Sequence, residues 1–176
     1  WWFTPADAKP TAYVIDIVLS PTDPNVIVVS VELGGVMQSE DGGKTWQGKL
    51  FKTAQMDCHA LYFHAIESNR VYLGGGGGGA FSTDAGKTWI EPGAVGLFAK
   101  MRQKAPEDAL AKGKLDRYYG WAVTADPAQP DIWYFSASTG PRRAHGEGDA
   151  QAYIYRCKDG QHWERLSGGL PQPLDH

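Results

Sequence analysis

From residue 12 onward, short apolar runs alternate with clusters of turn-forming residues, and no stretch keeps a helical period for long. Ala12–Leu19 and Asn25–Leu33 are β-branched and apolar, and the segment between them, Pro21-Thr22-Asp23-Pro24, has the chemistry of a tight turn. Gly35–Ser39 and Thr45–Leu50 are two shorter runs. The four-run pattern returns as His59–Ile66, Arg70–Leu73, Ala80–Ser82 and Thr88–Glu91. It returns again as Tyr119–Ala125, Asp131–Ser138, Ala152–Arg156 and His162–Leu166. Every run has strand length, so the pattern predicts three four-stranded antiparallel units, approximately 12–51, 57–92 and 117–168.

The residues between the runs repeat as well. Ser39-Glu40-Asp41-Gly42-Gly43-Lys44-Thr45-Trp46 recurs 43 residues later as Ser82-Thr83-Asp84-Ala85-Gly86-Lys87-Thr88-Trp89. A worn third copy, Cys157-Lys158-Asp159-Gly160-Gln161-His162-Trp163, has Cys for Ser and one residue fewer before Trp. The first-to-second-run turn is echoed by Asp126-Pro127-Ala128-Gln129-Pro130-Asp131. Two expansions interrupt the phasing. One is an insertion over 93–116, in which Pro106-Glu107-Asp108-Ala109-Leu110 could start a short helix. The other is a Gly- and charge-rich loop over 139–150. Four strands per unit of about 43 residues is the period of a β-propeller blade. A sandwich or an up-and-down barrel would not return one turn sequence at every fourth strand. The expected fold class is therefore all-β, an incomplete propeller of about three four-stranded antiparallel blades.

In each complete copy of the motif the aspartate, Asp41 or Asp84, can turn its carboxylate onto backbone N–H groups of its own loop. Gly43 and Gly86 suit positive φ, and Trp46 and Trp89 are expected to plug the turn onto the apolar side of the blade. A phosphate loop is excluded by spacing, because Gln38 and Phe81 stand where its first glycine is required. The pattern resembles the Asp-box, or bacterial neuraminidase repeat, of sialidases, glycoside hydrolase family 74 xyloglucanases, sortilin-type receptors and photosystem II assembly factors. The resemblance spans roughly residues 12–170, and the whole chain is most similar to a branch grouped with the xyloglucanase-like propellers. It implies that Ser39, Asp41, Gly43, Trp46, Ser82, Asp84, Gly86, Trp89, Asp159 and Trp163 are structural and distant from the ligand face. The early Arg-Ile-Pro segment of similar sialidases is missing, and no arginine triad can be assembled.

Composition narrows the function. The 176 residues include 22 glycines and 7 tryptophans, suited to turns and packed blades rather than helices. A net charge of −3 with no strongly basic stretch argues against a nucleic-acid partner. No apolar run is long enough for a membrane span. Cys58 and Cys157 make no disulfide framework, and no zinc, EF-hand, His-Glu-x-x-His or nucleophile-elbow motif occurs, so neither a metal nor a cofactor is expected. The run Gly74–Gly79 matches a dinucleotide fingerprint trivially and lacks the following helix, so it reads as a flexible strand-to-strand turn whose missing side chains leave space beside a ligand.

Candidate chemistry lies where polar residues interrupt apolar runs. Asp16 sits inside the first run, Glu32 ends the second, Asp57 and His59 open the second unit, and Arg117 precedes the third. Two carboxylates flanking a sugar would form a glycosidase pair, and Asp16, Glu32 and Asp57 are the ones placed for it. The same residues also fit as alternation positions facing solvent, and His59 as a hydrogen-bonding core histidine. Tyr119 and Trp121 could stack a sugar ring or pack within the inner strand. Arg142, Arg143 and His145 on the expanded loop could hold an anionic group or stay solvated. Two functions follow. One is a glycoside-hydrolase-like propeller that binds or processes a carbohydrate at the channel mouth. The other is a non-catalytic scaffold for a protein partner. Three blades cannot close a propeller, so the chain is expected to be a fragment, or an arc completed by further blades.

Overall fold

The computed structural model describes residues 12–49, 57–92 and 108–175. Most of the insertion over 93–116, the Pro106-Glu107 helix start and the end of the first unit lie outside the described residues. Strands β1 (Val14–Leu19), β2 (Ile27–Val31), β3 (Gly35–Ser39) and β4 (Gln47–Lys49) pair in chain order as one antiparallel sheet. Strands β5 (Cys58–Phe63), β6 (Val71–Gly75) and β7 (Gly78–Ser82) form the second. The third holds β8 (Tyr119–Ala125), β9 (Trp133–Ser138), β10 (Tyr153–Cys157) and β11 (Trp163–Leu166). Thr88–Glu91, expected as a fourth strand of the middle blade, is reduced to one bridge between Ile90 and Phe81.

The middle blade is packed on both faces, and its sequence shows why. Val71 and Leu73 face the first blade and, with Leu61 and Phe63 of β5, pack against its Val28 and Val36. Tyr72 and Phe81 face the third blade and pack with Trp133, Phe135, Tyr155 and Trp163. Period-2 alternation between two buried faces leaves little room for polar side chains, so β6 and β7 are apolar or glycine up to Ser82, whose hydroxyl belongs to the repeated turn. The run Gly74–Gly79 is therefore not a flexible turn. Only Gly76 and Gly77 turn, and the flanking glycines are buried strand residues. A Cβ on Gly79 would stand 2.7 Å from the Trp133 ring, and one on Gly74 3.4 Å from Phe135. The aromatics of the third blade, rather than a ligand, occupy the missing side-chain space.

Inter-blade ties follow one scheme, a side chain reaching the backbone of the neighbouring blade. The Asp16 carboxylate accepts the Leu61 N–H at 2.8 Å, and the Gln38 amide donates to the Ala85 carbonyl at 2.9 Å. Tyr72 donates its hydroxyl to Pro130 O at 2.5 Å, and Arg70 reaches the same carbonyl while pairing with Asp131.

The repeated turn closes identically in its two full copies. Ser39 Oγ accepts Gly43 N–H at 2.8 Å, Asp41 accepts Thr45 N–H at 2.8 Å and Thr45 Oγ1–H at 2.6 Å, and the Trp46 indole donates to Gly43 O at 3.0 Å. Ser82, Asp84, Gly86, Thr88 and Trp89 reproduce the network. Gly43 and Gly86 take φ of 87° and 92°. The tryptophans are less buried than expected. Trp46 is 40% exposed, whereas Trp89 is partly buried against the core shared by the first two blades. In the shortened third copy His162 replaces the threonine as the partner of Asp159, and Trp163 turns into the core at 4.6 Å from Trp133. The loop over 139–150 contains one helical turn, α1 (Pro141–Ala144), and the helix expected near Pro106 is a 3-10 turn over Leu110–Lys112.

Candidate functional site

Strand direction decides which residues can meet. In each blade the first strand starts at the end where the second strand finishes, so Glu32, Asp57, Gly76, Tyr119, Trp121 and the 139–150 loop share one end of the arc. The Ser39–Trp46 and Ser82–Trp89 turns fall at the other. The inner strands β1, β5 and β8 lie side by side, and each carries a β-bulge near its start: between Val14 and Asp16, between Cys58 and Ala60, and between Gly120 and Val123. Bulges re-aim side chains. Those re-aimed in β5 and β8 are His59 and Trp121.

His59 is the hub. Its Nδ1 lies 2.6 Å from the Gly120 carbonyl, which can only accept, so Nδ1 carries a proton. Its Nε2 faces Asp57 Oδ1 at 3.0 Å and Glu32 Oε2 at 3.7 Å. The ring also packs at 5.0 Å from Tyr119 and 4.8 Å from Trp121. Two glycines make this approach possible. A Cβ on Gly76 would stand 2.3 Å from Asp57 Oδ2, and one on Gly120 would stand 1.9 Å from the Phe135 ring.

Burial sets the electrostatics. It pushes the Glu32 carboxyl up to about 7, helped by the adjacent Asp57 and opposed by His59. Burial is the largest influence on Asp57 and raises it, but the hydrogen bond and charge of His59, the hydrogen bond with Glu32 and the charge of His145 together leave the carboxyl below its ordinary value. For His59 burial favours the neutral ring, yet the Asp57 hydrogen bond and charge, the Gly120 carbonyl and Glu32 prevail and raise it. Burial, then the charge of His59, lowers His145. The Tyr119 phenol, raised by burial and then by Asp57 and Glu32, stays protonated and shares a hydrogen bond with His145 Nε2 at 3.2 Å. Beside this cluster opens a cleft of about 580 Å³ lined by Tyr119, Trp121, Ser136, Ser138, His145 and Asp175. Trp121 is 49% exposed there.

The structure thus brings together Glu32, Asp57, His59, Tyr119, Trp121 and His145. It does not bring Asp16, whose oxygens accept Ile17 N–H and Leu61 N–H as a strand clasp. Arg117 lies over Tyr153 and donates to Gln151 O, apart from the cluster. Arg143 pairs with Asp149, and Arg142 is exposed on α1, so only His145 of that trio lines the cleft. Sequence reasoning missed Gly76, Gly120 and the bulges. Aligning the three inner runs on the turns that follow them, with Ser68 opposite Pro24 and Pro130, places Tyr13, Asp57 and Tyr119 at one position and Ile15, His59 and Trp121 at another, a signal that could have found the site.

Three antiparallel sheets around neighbouring inner strands define an all-β, incomplete β-propeller. Solved structures with the same fold include an ancestral GH74 enzyme, at a TM-score of 0.67 and 19% identity over 91% of this chain. Another is YCF48 from Cyanidioschyzon merolae, at 0.53 and 22% identity over 88%. A third is YCF48 bound to D1 peptide, at 0.50 and 19% over 88%. The chain spans 21%, 37% and 40% of those chains, respectively. No protein-family model and no curated protein matches the chain.

Proposed function

We propose that the protein is a glycoside-hydrolase-like propeller that binds a carbohydrate in the cleft beside Trp121, at the mouth of the propeller channel. The observation that carries this reading is the half-exposed Trp121 ring, held by a bulge and packed 5.2 Å from His145, in a cleft that Ser136 and Asp175 also line. An apolar platform with polar groups around its rim suits the face of a sugar ring and its hydroxyls. Glycan-array binding tests the reading: the wild type should retain a defined set of oligosaccharides, and Trp121→Ala should lose at least about fivefold in affinity, since a ring stacked on an aromatic side chain contributes roughly 1–3 kcal/mol. No glycan binding by the wild type would remove it.

A protein scaffold is the second reading, favoured by the exposed Arg142 on α1 and consistent with YCF48 having been solved with a bound peptide. A peptide partner that is lost on Arg142→Ala, with no glycan bound, would select it.

A further inference from the structure

We propose that Glu32, Asp57 and His59 form a binding site for one divalent transition-metal ion of the Zn²⁺ or Mn²⁺ kind. The hydrogen-bond arithmetic of the cluster leads there. The Gly120 carbonyl fixes the His59 proton on Nδ1 and leaves Nε2 directed at two carboxylates. In the neutral ring the Nε2 lone pair can take a cation in place of the proton that the imidazolium donates to Asp57. The backbone carbonyl behind the ring is the partner that orients metal-binding histidines.

Glu32 supplies an independent indication. The residue is 8% exposed, its Oε2 is sealed from solvent without a hydrogen-bond partner, and the neighbour on its open side is His59 Nε2 at 3.7 Å. A buried carboxylate oxygen with nothing to accept from is costly unless a cation or proton completes it. The spacing suits an ion. Ligand atoms roughly 2.1 Å from a metal stand about 3.0–3.4 Å apart, and the pairs here are separated by 3.0 and 3.7 Å. One imidazole and two carboxylates match Zn²⁺ or Mn²⁺ better than Ca²⁺, which collects six to eight oxygens. Asp57 is the most accessible of the three, at 15% side-chain exposure, and gives the ion its way in. Gly76 completes the cradle, because any side chain there would displace that carboxylate. No spacing motif announced the site, because its ligands come from the turn after β2 and from the start of β5, in different blades.

Isothermal titration of Zn²⁺ into chelator-treated protein, with parallel metal analysis, tests the site independently of glycan binding. One ion should bind per chain, and Glu32→Gln, which keeps the shape of the side chain, should weaken it at least about thirtyfold while leaving the circular dichroism spectrum unchanged. A second measurement needs no variant. Substoichiometric Mn²⁺ should broaden the ring resonances of His59, Tyr119 and Trp121 before those of Trp46 at the opposite end of the blades. Wild-type protein that takes up neither ion at millimolar concentration overturns the proposal and leaves a shared proton in the cluster. Uptake that is insensitive to Glu32→Gln, with broadening centred elsewhere, overturns it equally.

Discussion

Gly76 and Gly120 shape the site by lacking a Cβ. Gly76→Ala should push Asp57 out of the cluster, and Gly120→Ala should drive into the Phe135 ring, where overpacking costs typically ~1–3 kcal/mol. Urea unfolding should show a lower midpoint for Gly120→Ala at unchanged slope. Asp41 and Asp159 act at the opposite end. Hydrogen bonds from Thr45 hold Asp41 at about 2, and those from His162 hold Asp159 at about 2, below the usual carboxylate value of about 3.9. A depressed folded-state value means stability that is present above pH ~4 and lost as pH falls toward 2. Urea midpoints measured at stepped pH should show a constant gap between wild type and Asp41→Ala/Asp159→Ala above pH 4, closing near pH 2. A gap that grew on acidification would refute this. At this scale Glu32, Asp57 and His59 were legible as polar interruptions of apolar runs. That Asp16 is a strand clasp was not, because its partner, the Leu61 N–H, is 45 residues away.

Among elements, the turn after each first strand is closed by a different side chain in each blade. Ser20 Oγ accepts Thr22 and Asp23 N–H at 3.4 Å, His64 Nδ1 accepts Glu67 N–H at 2.9 Å, and Asp126 Oδ1 accepts Ala128 N–H at 2.8 Å. His64 is fully buried and also donates from Nε2 to the Asp126 carbonyl, which locks its turn to the next blade. His64→Ala should therefore cost at least ~2 kcal/mol, and Ser20→Ala about 0.5 kcal/mol or less. Comparable losses from thermal denaturation would contradict the scheme. The strands themselves were legible from period-2 runs bounded by turn residues. The glycine run was misread because its constraint, the Trp133 and Phe135 rings of the third blade, lies more than 50 residues downstream. The expected strand over Thr88–Glu91 shrank to a bridge between Ile90 and Phe81.

For the whole molecule, the two faces of the first blade differ sharply. One packs Val28 and Val36 against the middle blade. The other leaves Val14, Ile17 and Leu19 more than half exposed, opposite Val31, Val29 and Ile27 in register. An apolar sheet face of this kind promotes self-association. Sedimentation velocity should show concentration-dependent association that Ile17→Thr/Leu19→Thr reduces without lowering the unfolding midpoint by more than about 1 kcal/mol. Antiparallel strand alternation gives the molecule its functional polarity, with closing turns at one end and the His59, Trp121 and Glu32 cluster at the other. Titrating an oligosaccharide selected on the array into ¹⁵N-labelled protein, and following the seven indole N–H resonances, tests that polarity. The Trp121 indole should shift with saturation while those of Trp46 and Trp89 stay fixed. Shifts confined to Trp46 and Trp89, with Trp121 unmoved, would place the ligand at the wrong end and contradict it.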